Sequence, residues 1–182
     1  MNRSSQTRLA VLGMIAVDPS SGYAVRESIS RTIGHFWNAS FGQIYPTLAD
    51  LERDGFIEVV DRDGRKKVFG ITEAGLDELR SLLSEPVAQT PLRDATLLRL
   101  FYGRFLGDES CLRLIGATAL AAEQQLASFD KLEETLKSDY VDHPDLPFWL
   151  LTLRSGQLAA QAKRQWAREA EQLLQDRRDE QE

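Results

Sequence analysis

One cysteine, two histidines and no apolar run near the ~20 residues of a membrane span set the first bounds on this 182-residue chain. Cys111 alone permits no internal disulfide and offers no clustered ligation for a metal. His35 and His143 have no partner at a spacing that would serve nucleophilic or general-base chemistry. The glycines fall at turns and helix ends rather than in a phosphate-cradling loop. Neither an enzyme nor a cofactor is therefore expected. The N-terminus lacks an apolar signal segment, so the expected location is the cytoplasm, without membrane attachment. A hydrophobic content of 42% with 27% charge is ordinary for a globular protein.

Positive charge is also scarce, with a formal net charge of −6. Residues 1–84 carry ten Lys and Arg against eleven Asp and Glu, whereas residues 85–182 carry twelve against seventeen. The acidic excess thus belongs mostly to the second half. Charges more than a Debye length of about 8–10 Å away are largely screened, so a locally basic face in the first half can still meet a polyanion. Arg3, Arg8, Arg26 and Arg31 are candidates to extend such a face.

The informative stretch runs from Ser40 to Ile57. Ser40 and Gln43 have the spacing of a capping box, Ile44, Leu48 and Leu51 form one apolar stripe, and Gly55 supplies a left-handed helix stop. The first two turns carry no charge and present Ser40, Gln43, Tyr45 and Thr47, groups suited to phosphates and base edges at a helix N-terminus. Pro46 has its clash partner at Gly42, four residues back. It either opens and kinks the first turn or ends a short turn before the main helix, and the sequence leaves both readings open.

A strand at Phe56–Val60, an Asp63-Gly64 turn signal and a returning strand at Lys66–Ile71 predict a hairpin. Arg62, Arg65, Lys66 and Lys67 face one acid, Asp63, at its tip. Thr72 caps a following helix with Leu76, Leu79 and Leu83 on one face. Two earlier helices are expected: Thr7 to Val17, with Leu9, Leu12, Ile15 and Ala16 inward, and Gly22 to Ile33, with Val25, Ile29 and Ile33 inward. Asp18-Pro19-Ser20-Ser21 is the turn between them, with Ser21 as cap. The fold class is mainly α with a small β-hairpin: a winged helix-turn-helix followed by a helical dimerisation domain.

Residues 7–84 resemble the PadR family of bacterial transcriptional regulators. The likeness rests on Leu12-Gly13, Gly22-Tyr23, the run Gly42-Gln43-Ile44-Tyr45-Pro46-Thr47-Leu48, then Leu51-Glu52, Gly55-Phe56-Ile57 and Ile71-Thr72-Glu73-Ala74-Gly75. Ser21 stands where many relatives have histidine. The resemblance implies DNA binding, a longer form with a helical C-terminal domain, and a response to phenolic or other flat hydrophobic compounds.

A linker is expected at residues 85–91, between a DNA-binding domain at 1–84 and a helical domain at 92–182. Leu92 to Leu106 is read as a helix buried on more than one side by Leu97, Leu98, Leu100, Phe101, Tyr102 and Phe105. A second helix carries Leu112, Ile115, Ala119, Ala122, Leu126, Phe129, Leu132 and Leu136 in one stripe. After a break at His143–Pro147, a last helix from about Phe148 to Arg178 has a seam of Trp149, Leu153, Gly156, Ala160 and Trp166, expected to clasp a second subunit. Tyr102, Phe105, Phe148, Trp149 and Trp166 are candidates for an effector pocket, for the dimer interface, or simply for core. The expected function is sequence-specific binding of double-stranded operator DNA by a homodimeric repressor released by a small planar effector. The alternative is a winged-helix module for protein–protein assembly.

Overall fold

The computed structural model describes residues 3–34, 36–37, 41–63, 66–87 and 93–179. His35, Ser40, Arg65, the Asp63–Gly64 turn beyond Asp63 and most of the 85–91 linker lie outside those residues. The chain divides into two compact units, Met1–Thr90 and Pro91–Glu182.

The first unit runs α1 (Arg3–Val17), β1 (Ser20–Ser21), α2 (Gly22–Thr32), α3 (Phe41–Arg53), β2 (Ile57–Asp63), β3 (Lys66–Ile71) and α4 (Glu73–Ser84). Its core gathers one face of each element: Val11, Leu12 and Ile15 from α1, Val25 and Ile29 from α2, Ile44, Leu48 and Leu51 from α3. Ile57, Phe69 and Leu82 complete it. The Ser21 hydroxyl accepts the Ala24 N–H and caps α2, as its position suggested.

The Ser20-Ser21 turn does more than cap. It forms β1 and pairs antiparallel with β3, Ser20 opposite Phe69 and Ser21 opposite Val68, giving a three-stranded sheet in the order β1-β3-β2. On α4 the buried leucine is Leu82, while Leu83 is exposed, contrary to the expected stripe. The helix is turned by its start, where Gly75 lies against the Phe56 carbonyl and brings positions 75 and 82 inward.

Arg8, a candidate for the basic face, is an internal tie instead. Its guanidinium donates to Asp54 Oδ2 at 3.2 and 3.3 Å, its Nε is 3.2 Å from Glu78 Oε1, and it lies 4.9 Å from the centre of the Phe56 ring. One cation therefore joins α1 to the end of α3 and to α4. Its charge is taken up by that junction.

Among its described residues the second unit has helices as its only regular elements: α5 (Ala95–Phe101), α6 (Gly103–Leu106), α7 (Asp108–Asp139) and α8 (Leu146–Asp179). The single helix expected over 92–106 breaks at Tyr102, and Leu98, Phe101, Tyr102 and Phe105 are exposed rather than buried. The α7 stripe is as expected, with Ile115, Ala122, Leu126, Phe129 and Leu136 buried. It covers Leu153 and Ala160 of α8, whose Gln157 donates to Glu133 Oε2 at 2.7 Å. Of the seam assigned to a second subunit, Trp149, Leu153 and Ala160 pack with α7 within the chain.

Three carboxyls are held below their ordinary value by such contacts. At Asp54 burial pushes upward, but hydrogen bonds from Arg8 and Arg53 and the two positive charges outweigh it. At Asp94 the hydrogen bond from Lys163 dominates, with the Leu97 and Thr96 N–H groups adding to it. At Glu133 hydrogen bonds from Lys137 and Gln157 do the same. A carboxyl whose pKa is lower in the folded state stabilises the fold above the unfolded value of about 4 and loses that contribution as pH falls through its folded value. The melting temperature should therefore be level from neutral pH to about pH 5 and drop below about pH 4. Asp54→Asn should lower it at neutral pH and make the acid drop shallower. An identical acid profile in parent and variant would contradict this.

Candidate nucleic-acid interface

The α3 helix is continuous through Pro46, so the reading in which Pro46 separates two segments is set aside. Its carbonyl clash falls on Gly42 in the first turn, where the backbone has most freedom to tilt. The far end closes as the sequence indicated. Gly55 adopts φ 77°, its N–H donates to the Glu52 carbonyl at 3.2 Å, and the Phe56 N–H donates to the Leu51 carbonyl at 2.9 Å. Those two bonds make a Schellman stop that fixes how α3 passes into the wing.

With Ile44, Leu48 and Leu51 buried, the opposite face of α3 is open. Gln43, Tyr45 and Pro46 are exposed and Thr47 is half-buried. Tyr45, though exposed, rests against α2. A Cβ at Gly22 would stand 2.8 Å from Tyr45 Cε1 and 2.9 Å from Leu48 Cδ1, so the tyrosine ring lies across the start of α2. The Gly22-Tyr23 pair thus has a geometric reason: the α2 N-terminus must be bare for Tyr45 to rest there.

The wing pairs Asp63 with Lys66 and Arg62 with Lys67, with a register shift between Val59 and Asp61. Arg62 and Lys66 are exposed, and neither side chain joins an ion pair among the described residues. Lys67 differs. Its ammonium donates to both carboxylate oxygens of Glu52, at 2.8 and 2.9 Å, and lies 5.9 Å from the centre of the Phe69 ring. It ties the wing to α3 instead of projecting from the tip. Ser40 and Arg65 fall outside the described residues; the others lie on two elements, Gln43, Tyr45 and Thr47 on α3 and Arg62, Lys66 and Lys67 on the wing.

The aromatic candidates of the second unit do not share one place. Trp149 stacks on His143, 4.4 Å between ring centres, and meets the edge of Tyr140 at 5.6 Å. It is part of the core that closes the α7–α8 turn. Trp166 lines a separate cavity, while Tyr102, Phe105 and Phe148 are surface residues. Among the described residues no group of three His, Cys, Asp or Glu side chains is placed to hold a metal ion. None of their helices is long and apolar enough to cross a membrane.

Two helices in helix-turn-helix order, a two-stranded wing and a separate helical unit define a winged helix-turn-helix protein. The description of the transcriptional regulator PadR-like family matches residues 11–81, and that of the virulence activator alpha C-terminal region matches residues 92–175. The probable transcriptional regulator Rv1176c of Mycobacterium tuberculosis is 31% identical over 186 residues, covering 93% of this chain and 97% of that protein. The solved PadR-like regulator BC1756 of Bacillus cereus superimposes with a TM-score of 0.81 at 25% identity, over 94% of this chain and 99% of the other. Bacillus subtilis PadR, a negative transcriptional regulator, has been solved with operator DNA (TM-score 0.77, 25% identity, 92% and 98% covered). The same protein has been solved with p-coumaric acid (TM-score 0.73, 23% identity, 92% and 98% covered). The chain belongs to the PadR-like family of transcriptional regulators, which are not enzymes.

Proposed function

We propose that this chain is a homodimeric, cytoplasmic repressor that reads operator DNA with α3 and the wing and is released by a small aromatic or hydrophobic effector. One observation carries the DNA-reading part. The exposed start of α3 is uncharged and rich in hydrogen-bonding groups, and the wing that Lys67 ties to Glu52 of the same helix carries the exposed cations Arg62 and Lys66. That pairing suits base edges for α3 and phosphates for the wing. The relative solved with operator DNA supports it, and the relative solved with p-coumaric acid supports the effector. Residues 1–84 would read, 85–91 would link, and 92–182 would dimerise and sense.

The dimer draws on α8. Its buried positions Leu153, Gln157 and Ala160 face α7. Phe148, Leu151 and Leu158 are exposed, and a period of 3.6 residues puts them on the opposite side of the helix. A helix apolar on two sides has one face left for a second copy. Two-fold symmetry then sets two α3 helices toward half-sites about 34 Å apart.

Gel-shift against the DNA upstream of the protein's own gene is the direct test of this reading. A complex that survives a scrambled competitor and dissolves on adding p-coumarate is expected. A shift equally sensitive to both DNAs would defeat it. Within the wing, Lys66→Ala should weaken all sequences alike and lower the salt slope by about 0.9, the share of one neutralised phosphate. Lys67→Ala should leave that slope nearly unchanged, because its charge is already taken by Glu52. An equal fall in slope for the two variants would mean that the Glu52 pair opens on DNA.

A further inference from the structure

From Asp50 onward every second residue of α3 and its stop is an acid, and each of these acids holds a cation. Asp50 takes Arg53 at 2.6 Å, Glu52 takes Lys67 at 2.8 Å, and Asp54 takes Arg8 and Arg53 at 3.2 and 3.1 Å. Of these three cations only Lys67 belongs to the wing. Glu52 is therefore the acid of this series that acts on a residue placed to meet the DNA backbone.

The Lys67 ammonium donates to both Glu52 oxygens, which commits two of its three N–H groups. The pair is nevertheless open to solvent, its side chains 41% and 34% exposed, so a phosphate has access to it. The strand register sharpens the point. Arg62 stands directly opposite Lys67, and directly opposed residues of an antiparallel pair share one face of the sheet. Two cations so placed repel, and Glu52 offsets one of them. Without that carboxylate the wing would present two neighbouring positive charges, an attractor for phosphate whatever the base sequence.

We propose that Glu52 is a specificity-determining residue, which withholds Lys67 from the DNA backbone and so limits sequence-independent binding. The inference rests on the DNA-reading role of α3 and the wing given above. A closed, neutral pair displaces no counterion from DNA, whereas a freed Lys67 displaces about one. To bring its charge to a phosphate, Lys67 must leave Glu52, and the stranded carboxylate then faces the same backbone. On the operator, base contacts of α3 hold the protein in one register, and the pair keeps the wing in step with that helix. A sequence-independent complex has only phosphate contacts to hold it, so it gains most from a freed Lys67. Discrimination rises when the wrong complex is weakened as well as when the right one is strengthened.

Fluorescence-anisotropy titration of the full chain on the upstream DNA and on a scrambled duplex, over a salt series, tests this. Glu52→Gln should bind the scrambled duplex about two- to fivefold more tightly at low salt, the worth of an exposed charge contact. Its salt slope there should steepen by about 0.9, one added phosphate. Affinity for the upstream DNA should not rise, so the preference for it falls by a similar factor. The gain must require Lys67: Glu52→Gln combined with Lys67→Gln should return to the parent's slope and affinity on the scrambled duplex. A gain that persists in the double variant would mean that Glu52 acts only as a repelling charge, and would overturn the proposal. An unchanged slope in Glu52→Gln, or an equal gain on both DNAs, would overturn it too. If Glu52→Gln melts early, Glu52→Met removes the same charge, keeps a good helix former and takes its place. A parent without preference for the upstream DNA sinks the regulator reading, and the slopes on the scrambled duplex still decide the role of Glu52. A parent that binds neither DNA sinks both.

Discussion

Replacing Leu151 and Leu158 together with Glu should turn a dimer into a folded monomer and weaken operator binding by about 10²- to 10⁴-fold, the range over which linking two sites raises affinity. Both leucines are exposed in the single chain, 69% and 50%, so the charges cost little in the monomer. In a dimer they would meet their own copies across the two-fold axis, where like charges cannot be desolvated cheaply. Each half-site would then be bound alone, and the advantage of effective concentration is gone. The contrasting variant is Leu153→Glu, which buries a charge between α7 and α8 and should unfold the second unit. Truncation after Val141 is a poorer test, because it strips α7 of the helix that covers it. Sedimentation at micromolar concentration reads the outcome. A parent that sediments as a monomer, or a double variant that remains a dimer, would remove the α8 face from the account.

Gly75→Ala should be among the most damaging single-methyl additions in the first unit. The new Cβ would lie far inside van der Waals contact distance of the Phe56 carbonyl oxygen and 2.8 Å from Ile71 Cγ1. That carbonyl cannot rotate away. It accepts the Thr72 N–H at 3.1 Å, and the Phe56 N–H is committed to the α3 stop. Thr72 reinforces the junction, its hydroxyl donating to the Gly55 carbonyl at 2.8 Å and accepting the Gly75 N–H at 3.0 Å. The start of α4 must therefore move off β2, an overpacking cost of about 3 kcal/mol or more. For a unit of this size that corresponds to a fall of roughly 12–24 °C in melting temperature. Gly116→Ala is the matched control. It sits in α7 with nothing within 4 Å of a built Cβ, and should stabilise by about 0.5–1 kcal/mol through helix propensity. Calorimetry of both variants decides, and a Gly75→Ala protein as stable as the parent would show that the junction yields.

Local chemistry makes the first unit legible. Ser21, Thr72 and Gly55 act where their side chains or backbones predict, and the Ile44-Leu48-Leu51 stripe is buried as its spacing requires. What eludes the sequence is long-range. Nothing in the spacing of Arg8 and Asp54, 46 residues apart, or of Glu52 and Lys67, 15 apart, announces an ion pair. Both pairs consume cations that a count of charges would assign to DNA. β1 is only two residues long and has no alternating pattern to betray it. In the second unit the expected α8 seam takes in Trp149 and Trp166 as though they shared a side. Seventeen residues at 3.6 per turn place them about a quarter-turn apart. Trp149 accordingly closes the α7–α8 turn while Trp166 lines the cavity. Trp37 packs on the core of the first unit, and the sequence does not flag it, since a lone tryptophan carries no periodic signal.

The central claim is that α3 reads bases while the wing supplies sequence-independent grip. It is tested most directly by measuring parent and Gln43→Ala side by side on the upstream DNA and on a scrambled duplex at one salt concentration. Gln43 is exposed in the first turn of α3, and a glutamine there can pair with both major-groove edge atoms of an adenine. The account predicts that Gln43→Ala binds the operator about 1–3 kcal/mol more weakly, the deficit concentrated at one base position, and binds the scrambled duplex as the parent does. An equal weakening on both DNAs, or none on either, would contradict it.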